Sequence, residues 1–322
     1  LTLNLSQNIP WTGGSLFLET SAQRMDLFSE HKYSWQTSPI MIGYRQSLFG
    51  YNSLKWDKRI EPVRYQEAKK NYVETLELVS ANAINKFFAL ATAQSNYDIA
   101  SFNYANADTL YRYAQGRYNI GTITENEMLQ LELNRLTEET NRMNARIEMD
   151  NCMQELRSYL GIQEEREIRV RVSSRIPNFS INLNEALALA YENSPDIQTM
   201  KRRKLESESA VARARANAGL KADIYLRFGL TQTADKLPEA YRNLLDQQYV
   251  SLSISLPILD WGRGKGQVRV ARSNRDLVYT QVEQSRTDFE LNVRKLVKQF
   301  NLQTQRARIA ARTDETAQRR YE

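Results

Sequence analysis

A heptad-like apolar stripe limits most strongly what this chain can become. It runs through Tyr65, Ala68, Tyr72, Leu76, Val79, Ala83, Phe87, Leu90, Tyr97, Tyr104, Ala107, Tyr111, Ala114 and Tyr118, and its register passes Gln94 and Ser101 without slipping. Its mean step is about 3.5 residues, the period of a left-handed supercoil rather than of a straight globular helix. Residues 62–115, if helical throughout, would extend roughly 80 Å at ~1.5 Å per residue, more than a compact domain of this mass needs. A turn follows, Gly116-Arg117-Tyr118-Asn119-Ile120-Gly121-Thr122-Ile123-Thr124, and a second stripe returns through Leu129, Leu133, Leu136, Met143, Ile147, Met153, Leu156 and Leu160. The pattern predicts a long antiparallel helical hairpin over residues 50–161, with its tip at 116–124.

Four other segments alternate with period two, the spacing of half-buried strands with one wet side. They are Gly14–Arg24, where Phe17 breaks the alternation, Pro39–Phe49, Asp223–Gln232 and Tyr249–Ile258. The last is the clearest, with Val250, Leu252, Ile254, Leu256 and Ile258 set against Ser251, Ser253 and Ser255. A short lead at residues 1–6 carries Leu1, Leu3 and Leu5. The strands form two pairs, at 1–49 and 222–258, each joined by a polar loop flecked with aromatics.

Each pair exits into a long helix, and the exits correspond. Leu48-Phe49-Gly50-Tyr51 is matched by Ile258-Leu259-Asp260-Trp261 at an offset of 210 residues, and Ala114-Gln115-Gly116-Arg117-Tyr118 by Ala317-Gln318-Arg319-Arg320-Tyr321 at 203. Two tandem copies of strand–strand–long helix, differing by about two helical turns, account for that drift. A connector at 162–221 lies between them. Within it Ile168–Val172 reads as a short strand, a helix starts near Asn182 with Glu185 in capping-box position, and Ser194-Pro195 starts a new helix running to Gly219. Residues 259–322 are the first helix of a second hairpin. The chain opens at Leu1 and stops inside a helical pattern, which predicts a piece of a longer protein.

Little chemistry survives this composition. One His and one Cys exclude a multi-histidine metal site and an internal disulfide. Carboxylate pairs such as Glu138 with Glu139, or Glu164 with Glu165, sit on polar faces or loops. Gly262-Arg263-Gly264-Lys265-Gly266 lacks the Ser or Thr and the spacing of a phosphate loop, and reads as a strand-to-helix turn. The net charge of +6 is mostly interleaved with acidic residues, and the cluster Lys201–Lys204 carries no nucleic-acid signature. No enzyme, cofactor or nucleic-acid partner is expected. No segment reaches the ~18–20 apolar residues of a membrane helix, but a membrane strand needs only ~9–11, half of them polar. Four such strands cannot close a barrel alone, because the smallest membrane barrels have ~8, so a shared barrel built by several protomers is the economical answer.

The tip Tyr118-Asn119-Ile120-Gly121-Thr122, the strand-exit motifs and the duplicated plan resemble the TolC-type outer membrane efflux proteins over essentially the whole chain. The resemblance implies a mainly helical fold with a β-barrel part. In it, four strands per protomer would join a shared twelve-stranded barrel in the outer membrane of a Gram-negative bacterium, and coiled-coil hairpins would build a periplasmic tunnel. It implies a homotrimer that contacts outer membrane lipid and acts as the passive exit duct of an efflux or type I secretion system. Its partners would be a periplasmic adaptor and an inner-membrane transporter. Tyr118, Ile120, Gly121 and Thr122 fall on the family's adaptor-docking tip. Glu127 falls where the family can carry an acidic gate tie, with Tyr321 on the tyrosine that would partner it. Lys221 departs from the proline that commonly enters the strand there.

Plainer readings of the same residues stand alongside. Gly121 suits any turn that needs a positive φ. Thr124 with Glu127, or Thr122 with Glu125, makes a capping box for the returning helix. The stripe tyrosines read as packing rather than as channel-lining ligands. A soluble coiled-coil scaffold is the alternative for the chain as a whole, but it has no use for four alternating strands.

Overall fold

The computed structural model describes the chain apart from Glu30, Glu165, residues 174–178 and Glu322, and gives no side chain for Tyr321. It divides into two units, Leu1–Asn71 with Asn182–Lys298 and Tyr72–Ile181 with Gln299–Glu322.

The first unit holds a five-stranded antiparallel sheet in chain order: β1 (Thr2–Asn8), β2 (Ser15–Leu27), β3 (Lys32–Ser47), β4 (Lys221–Ala234) and β5 (Leu245–Ser255). The short lead at residues 1–6 is therefore a full strand, paired with β2 from Thr2↔Ser21 to Asn8↔Ser15. The two repeats join along β3 and β4, where Gly43 faces Arg227 and Ile42 faces Phe228. Among the described residues β1 pairs only with β2, and β5 only with β4, so both edges of the sheet are open there. Lys221, where a proline was the family's habit, begins β4 and pairs with Ser255.

Directly paired residues share a face of a pleated sheet. One face carries the rows Leu5–Leu18–Ile42–Phe228 and Leu16–Tyr44–Leu226–Val250. The other carries Ser6–Phe17–Gly43–Arg227–Tyr249. Phe17 breaks the sequence alternation because it packs the second, more polar face. It is buried there, stacks on Tyr225 at 5.7 Å, and lies over Gly43, where an added Cβ would run into its ring. Met41 is wholly buried on the same face. Thr37, also fully buried, donates its hydroxyl to the Ala240 carbonyl in the single helical turn Glu239–Tyr241.

The helices of this unit start as their caps dictate. Asn52 accepts the Lys55 N–H at 3.0 Å, so α1 (Ser53–Asn119) begins well before residue 62, and Pro62 lies inside it. Asn182 caps α3 (Leu183–Asn193) through the Asn184 N–H at 2.9 Å, in place of the capping box expected with Glu185. Ser194 caps α4 (Pro195–Ala218), with Pro195 in the first turn as its missing N–H allows. α1 and α4 are tied by Glu67 and Arg202: Nε donates to Oε2 at 2.6 Å and Nη2 to Oε1 at 3.0 Å. The Thr199 hydroxyl adds a bond to Glu67 at 2.8 Å. The Arg202 bonds, first among the causes, hold the Glu67 carboxyl below its ordinary value of 4.5. The glycine run after β5 is a turn into α5 (Arg263–Tyr321), in which both Asp260 oxygens accept backbone N–H groups, from Gly262 at 2.9 Å and Gly264 at 2.8 Å.

In the second unit α1 and α2 (Glu125–Leu160) form the hairpin. The α1 seam is built of Leu90, Ala93, Ala100, Ala107 and Ala114, each at most 9% exposed, and its four alanines recur every seven residues. Tyr97, Tyr104 and Tyr111 alternate with them. The alanines permit close approach, and the tyrosines serve as platforms. The Arg142 guanidinium stands 4.1 Å from the Tyr104 ring centroid, and that of Arg135 stands 5.5 Å from Tyr111. Packing is thus the role these tyrosines play. The α2 stripe departs from expectation: Leu156 is buried, but Leu129, Leu133, Leu136, Met143 and Ile147 are 44–66% exposed. Tyr72, Leu76 and Val79 of α1 are exposed as well. A two-helix contact covers only one narrow seam per helix, so a second apolar face is left over.

Ile168–Val172 is not a strand. The Gln94 side chain takes the place of a pairing neighbour: its Nε2 donates to the Ile168 carbonyl at 2.7 Å, and its Oε1 accepts the Val170 N–H at 3.1 Å. Asn301 of α5 brackets Ile181 in the same two-bond manner, at 2.9 and 3.1 Å. An amide at a core position of each repeat therefore clamps the connector. That is why Gln94 interrupts the stripe without breaking its register.

Candidate docking tip and lipid-facing sheet

α1 continues as helix to Asn119, so the turn is tighter than residues 116–124 suggested. Gly121 has φ 75°, and its N–H donates to the Tyr118 carbonyl at 2.9 Å, while the Thr122 N–H reaches Arg117 at 2.9 Å. That pair of bonds is a Schellman stop. The Thr122 hydroxyl adds a second bond to the Arg117 carbonyl at 2.9 Å. Thr124 then caps α2 in a complete capping box. Its backbone N–H and hydroxyl both donate to Glu127, at 2.8 and 2.9 Å, and the Glu127 N–H returns to the hydroxyl at 3.3 Å. The first of these bonds, from the Thr124 backbone, does most to hold the Glu127 carboxyl below its ordinary 4.5, and the Arg117 charge adds to it.

The structure therefore brings Tyr118, Ile120, Gly121 and Thr122 into one hydrogen-bonded turn, with Ile120 75% exposed at its crest. The partners described for Glu127 are those of its own cap. Tyr321 is the last helical residue of α5, and its side chain lies outside the described residues. Of the two capping boxes open from sequence, Thr124 with Glu127 is the one formed.

The apolar face of the sheet is the larger feature. Leu5, Leu18, Ile42, Phe228, Val250, Leu252 and Ile254 are all 43–68% exposed. The opposite face is polar, with Glu19, Arg45, Arg227 and Ser251 among its residues. Such a sheet, apolar on one face, more polar on the other and with both edges unpaired among the described residues, has the patterning of a segment of membrane barrel wall. The period-two alternation revealed which residues form this face. It gave no sign that the face would stay uncovered, because alternation is the same whether the cover is a core or a lipid. Among the described residues no helix is long and apolar enough to cross a membrane, and no group of three or more His, Cys, Asp or Glu could hold a metal.

No protein-family model matches the chain, and no curated protein matches it in sequence. Solved structures match it in fold. The Campylobacter jejuni CmeC outer membrane channel is similar at TM-score 0.69 and 17% identity, with 100% of this chain and 68% of that one covered. The outer-membrane channel OprN is similar at TM-score 0.68 and 16% identity, covering 99% and 69%. The open-state Neisseria gonorrhoeae MtrE outer membrane channel is similar at TM-score 0.63 and 13% identity, covering 100% and 71%. The chain, a five-stranded antiparallel sheet continued into heptad-patterned helices, has the fold of these TolC-like outer membrane channels.

Proposed function

We propose that the protein carrying this chain is a passive outer membrane channel with a periplasmic tunnel, assembled as a homotrimer. The observation that carries this reading is the bare apolar face of an open sheet. A single chain leaves both sheet edges and several apolar rows exposed, a state that closure with further strands in lipid removes. The uncovered second faces of α1 and α2 fit the same answer, since helices from neighbouring protomers would cover them. The function is conduction, so the residues provide walls and contacts rather than a reacting group.

In this reading the turn at Tyr118, Ile120, Gly121 and Thr122 docks a periplasmic adaptor, which links the duct to an inner-membrane pump. Its closure by hydrogen bonds and the exposed Ile120 support that role. Glu127 serves first as the cap of α2 and, in the closed assembly, ties the first hairpin to Tyr321 of the second. A soluble scaffold would leave the apolar rows of the sheet in water, which disfavours it.

The deciding experiment is fractionation of a Gram-negative host expressing the full-length protein, followed by electrophoresis with and without boiling and by recording in planar bilayers. Heat-modifiable trimers in the outer membrane that conduct ions are expected. A monomer in the soluble fraction that never conducts would overturn the reading.

A further inference from the structure

The two repeats place equivalent aromatic residues at their strand exits and then treat them in opposite ways. Tyr51 and Trp261 are 210 residues apart, the offset of the exit motifs. Tyr51 is packed down: its hydroxyl lies 2.5 Å from Ser209 Oγ, and the Arg213 guanidinium covers its ring at 4.7 Å. Trp261 is turned out and is 92% exposed, and none of the described residues gives it a hydrogen-bond or ring partner. Its backbone is left-handed, at φ 52°, a region that bulky residues rarely adopt. The turn enforces this conformation. Asp260 holds Gly262 and Gly264 through its two oxygens, and its carbonyl accepts the Arg263 N–H at 2.9 Å. A Trp kept in a costly conformation with no internal contact is a site to be explained by something outside the chain.

Two further observations indicate what that is. The exposed apolar row of β5 runs toward it through Leu252 and Ile254 and is continued past the strand end by Leu256 and Ile258, all 59–86% exposed, with Leu259 71% exposed beside it. Beyond it the first turns of α5 carry Arg263, Lys265, Arg269, Arg272 and Arg275, with no Asp or Glu before Asp276. The corresponding start of α1 is mixed, with Lys55, Lys58 and Arg59 set against Asp57 and Glu61. One repeat thus combines an outward indole with an all-basic helix start, next to the apolar band, and the other has neither.

We infer that Trp261 is a membrane-interface anchor, its indole seated at the boundary between acyl chains and headgroups, with Arg263 and Lys265 facing anionic phospholipid headgroups. The indole suits that boundary because its body is apolar and its N–H is polar. The basic side chains suit it because an anionic lipid surface attracts them within about a Debye length. The assignment rests on the apolar face of the sheet being lipid-facing.

The test reconstitutes the full-length protein in vesicles of phosphatidylethanolamine and phosphatidylglycerol, with or without acyl chains brominated near the headgroup. Tryptophan emission is compared between the parent and Trp261→Phe, which removes the indole and keeps an aromatic ring. The bromolipid-sensitive share of the emission should fall in Trp261→Phe. Replacing phosphatidylglycerol by phosphatidylcholine should red-shift the parent emission, and Arg263→Gln with Lys265→Gln should abolish that lipid dependence. If parent and Trp261→Phe both float with vesicles and are quenched to the same extent, the anchor is wrong and the channel reading stands. If the double variant keeps the full dependence on anionic lipid, the headgroup contact is wrong. If the parent neither floats with vesicles nor is quenched, the lipid-facing sheet itself falls.

Discussion

Gly121 has two demands on it that substitution can separate. Its φ of 75° belongs to the Schellman stop, and no neighbouring atom would obstruct a Cβ there. Asparagine tolerates this conformation, so Gly121→Asn should keep both the turn and export, whereas Gly121→Ala should cost the hairpin about 1 kcal/mol. Gly121→Trp should abolish export while trimers still insert, because it changes the surface at the crest of the tip. Normal drug or protein export in that variant would remove the docking role. Glu127 is read out differently. Glu127→Ala frees the Thr124 N–H and loosens the start of α2, and under the proposed gate role it would also remove a tie to the second hairpin. Larger single-channel conductance in bilayers is expected, and unchanged conductance would leave Glu127 with capping alone. The capping box was legible in the sequence because its partners lie three residues apart. A tie to a residue nearly two hundred positions away has no such signature.

At the scale of elements, long-range polar ties do work that local patterns conceal. Glu67 and Arg202 fix α1 to α4 with side chains only 12% and 23% exposed. Glu67→Ala leaves that guanidinium without its forked partner and should cost about 2 kcal/mol. The sign with pH follows from the depressed carboxyl: the pair stabilises the fold above the unfolded value near 4.5 and loses that contribution as pH falls through the folded value. Thermal melts should therefore show the parent ahead of Glu67→Gln at neutral pH and the gap closing in acid. A gap independent of pH would mean that the tie is not ionic. The amide clamps at Gln94 and Asn301 teach a related lesson. In the stripe Gln94 is only an interruption, and its meaning appears when the connector lies alongside. The strand expected at Ile168–Val172 failed for the same reason: its extended backbone is satisfied by a side chain, and no second strand is needed.

For the whole molecule, the sheet makes the sharpest forecast. Phe228 and Ser251 lie on adjacent paired strands but on opposite faces. If the apolar face meets lipid, Phe228→Arg should cost roughly 2–4 kcal/mol near the bilayer midplane and block assembly in the outer membrane. Ser251→Arg, on the polar face, should assemble normally. Equal assembly of the two variants, measured as heat-modifiable trimer per cell, would contradict the assignment of faces.

The sequence by itself determined the helical hairpin, the tandem repeat, the strand faces and the positions of the capping residues, because each is written in spacing over a few residues or in similarity between two copies. Tertiary structure alone decided which apolar faces become covered. Leu129 and Leu156 look alike in the α2 stripe, yet one is 44% exposed and the other 4%. It also decided that Phe17 packs over Gly43, that Gln94 stands in for a strand, and that Tyr51 turns in where Trp261 turns out. Periodicity reports that a face is apolar, while burial depends on what arrives from elsewhere in the chain to meet it.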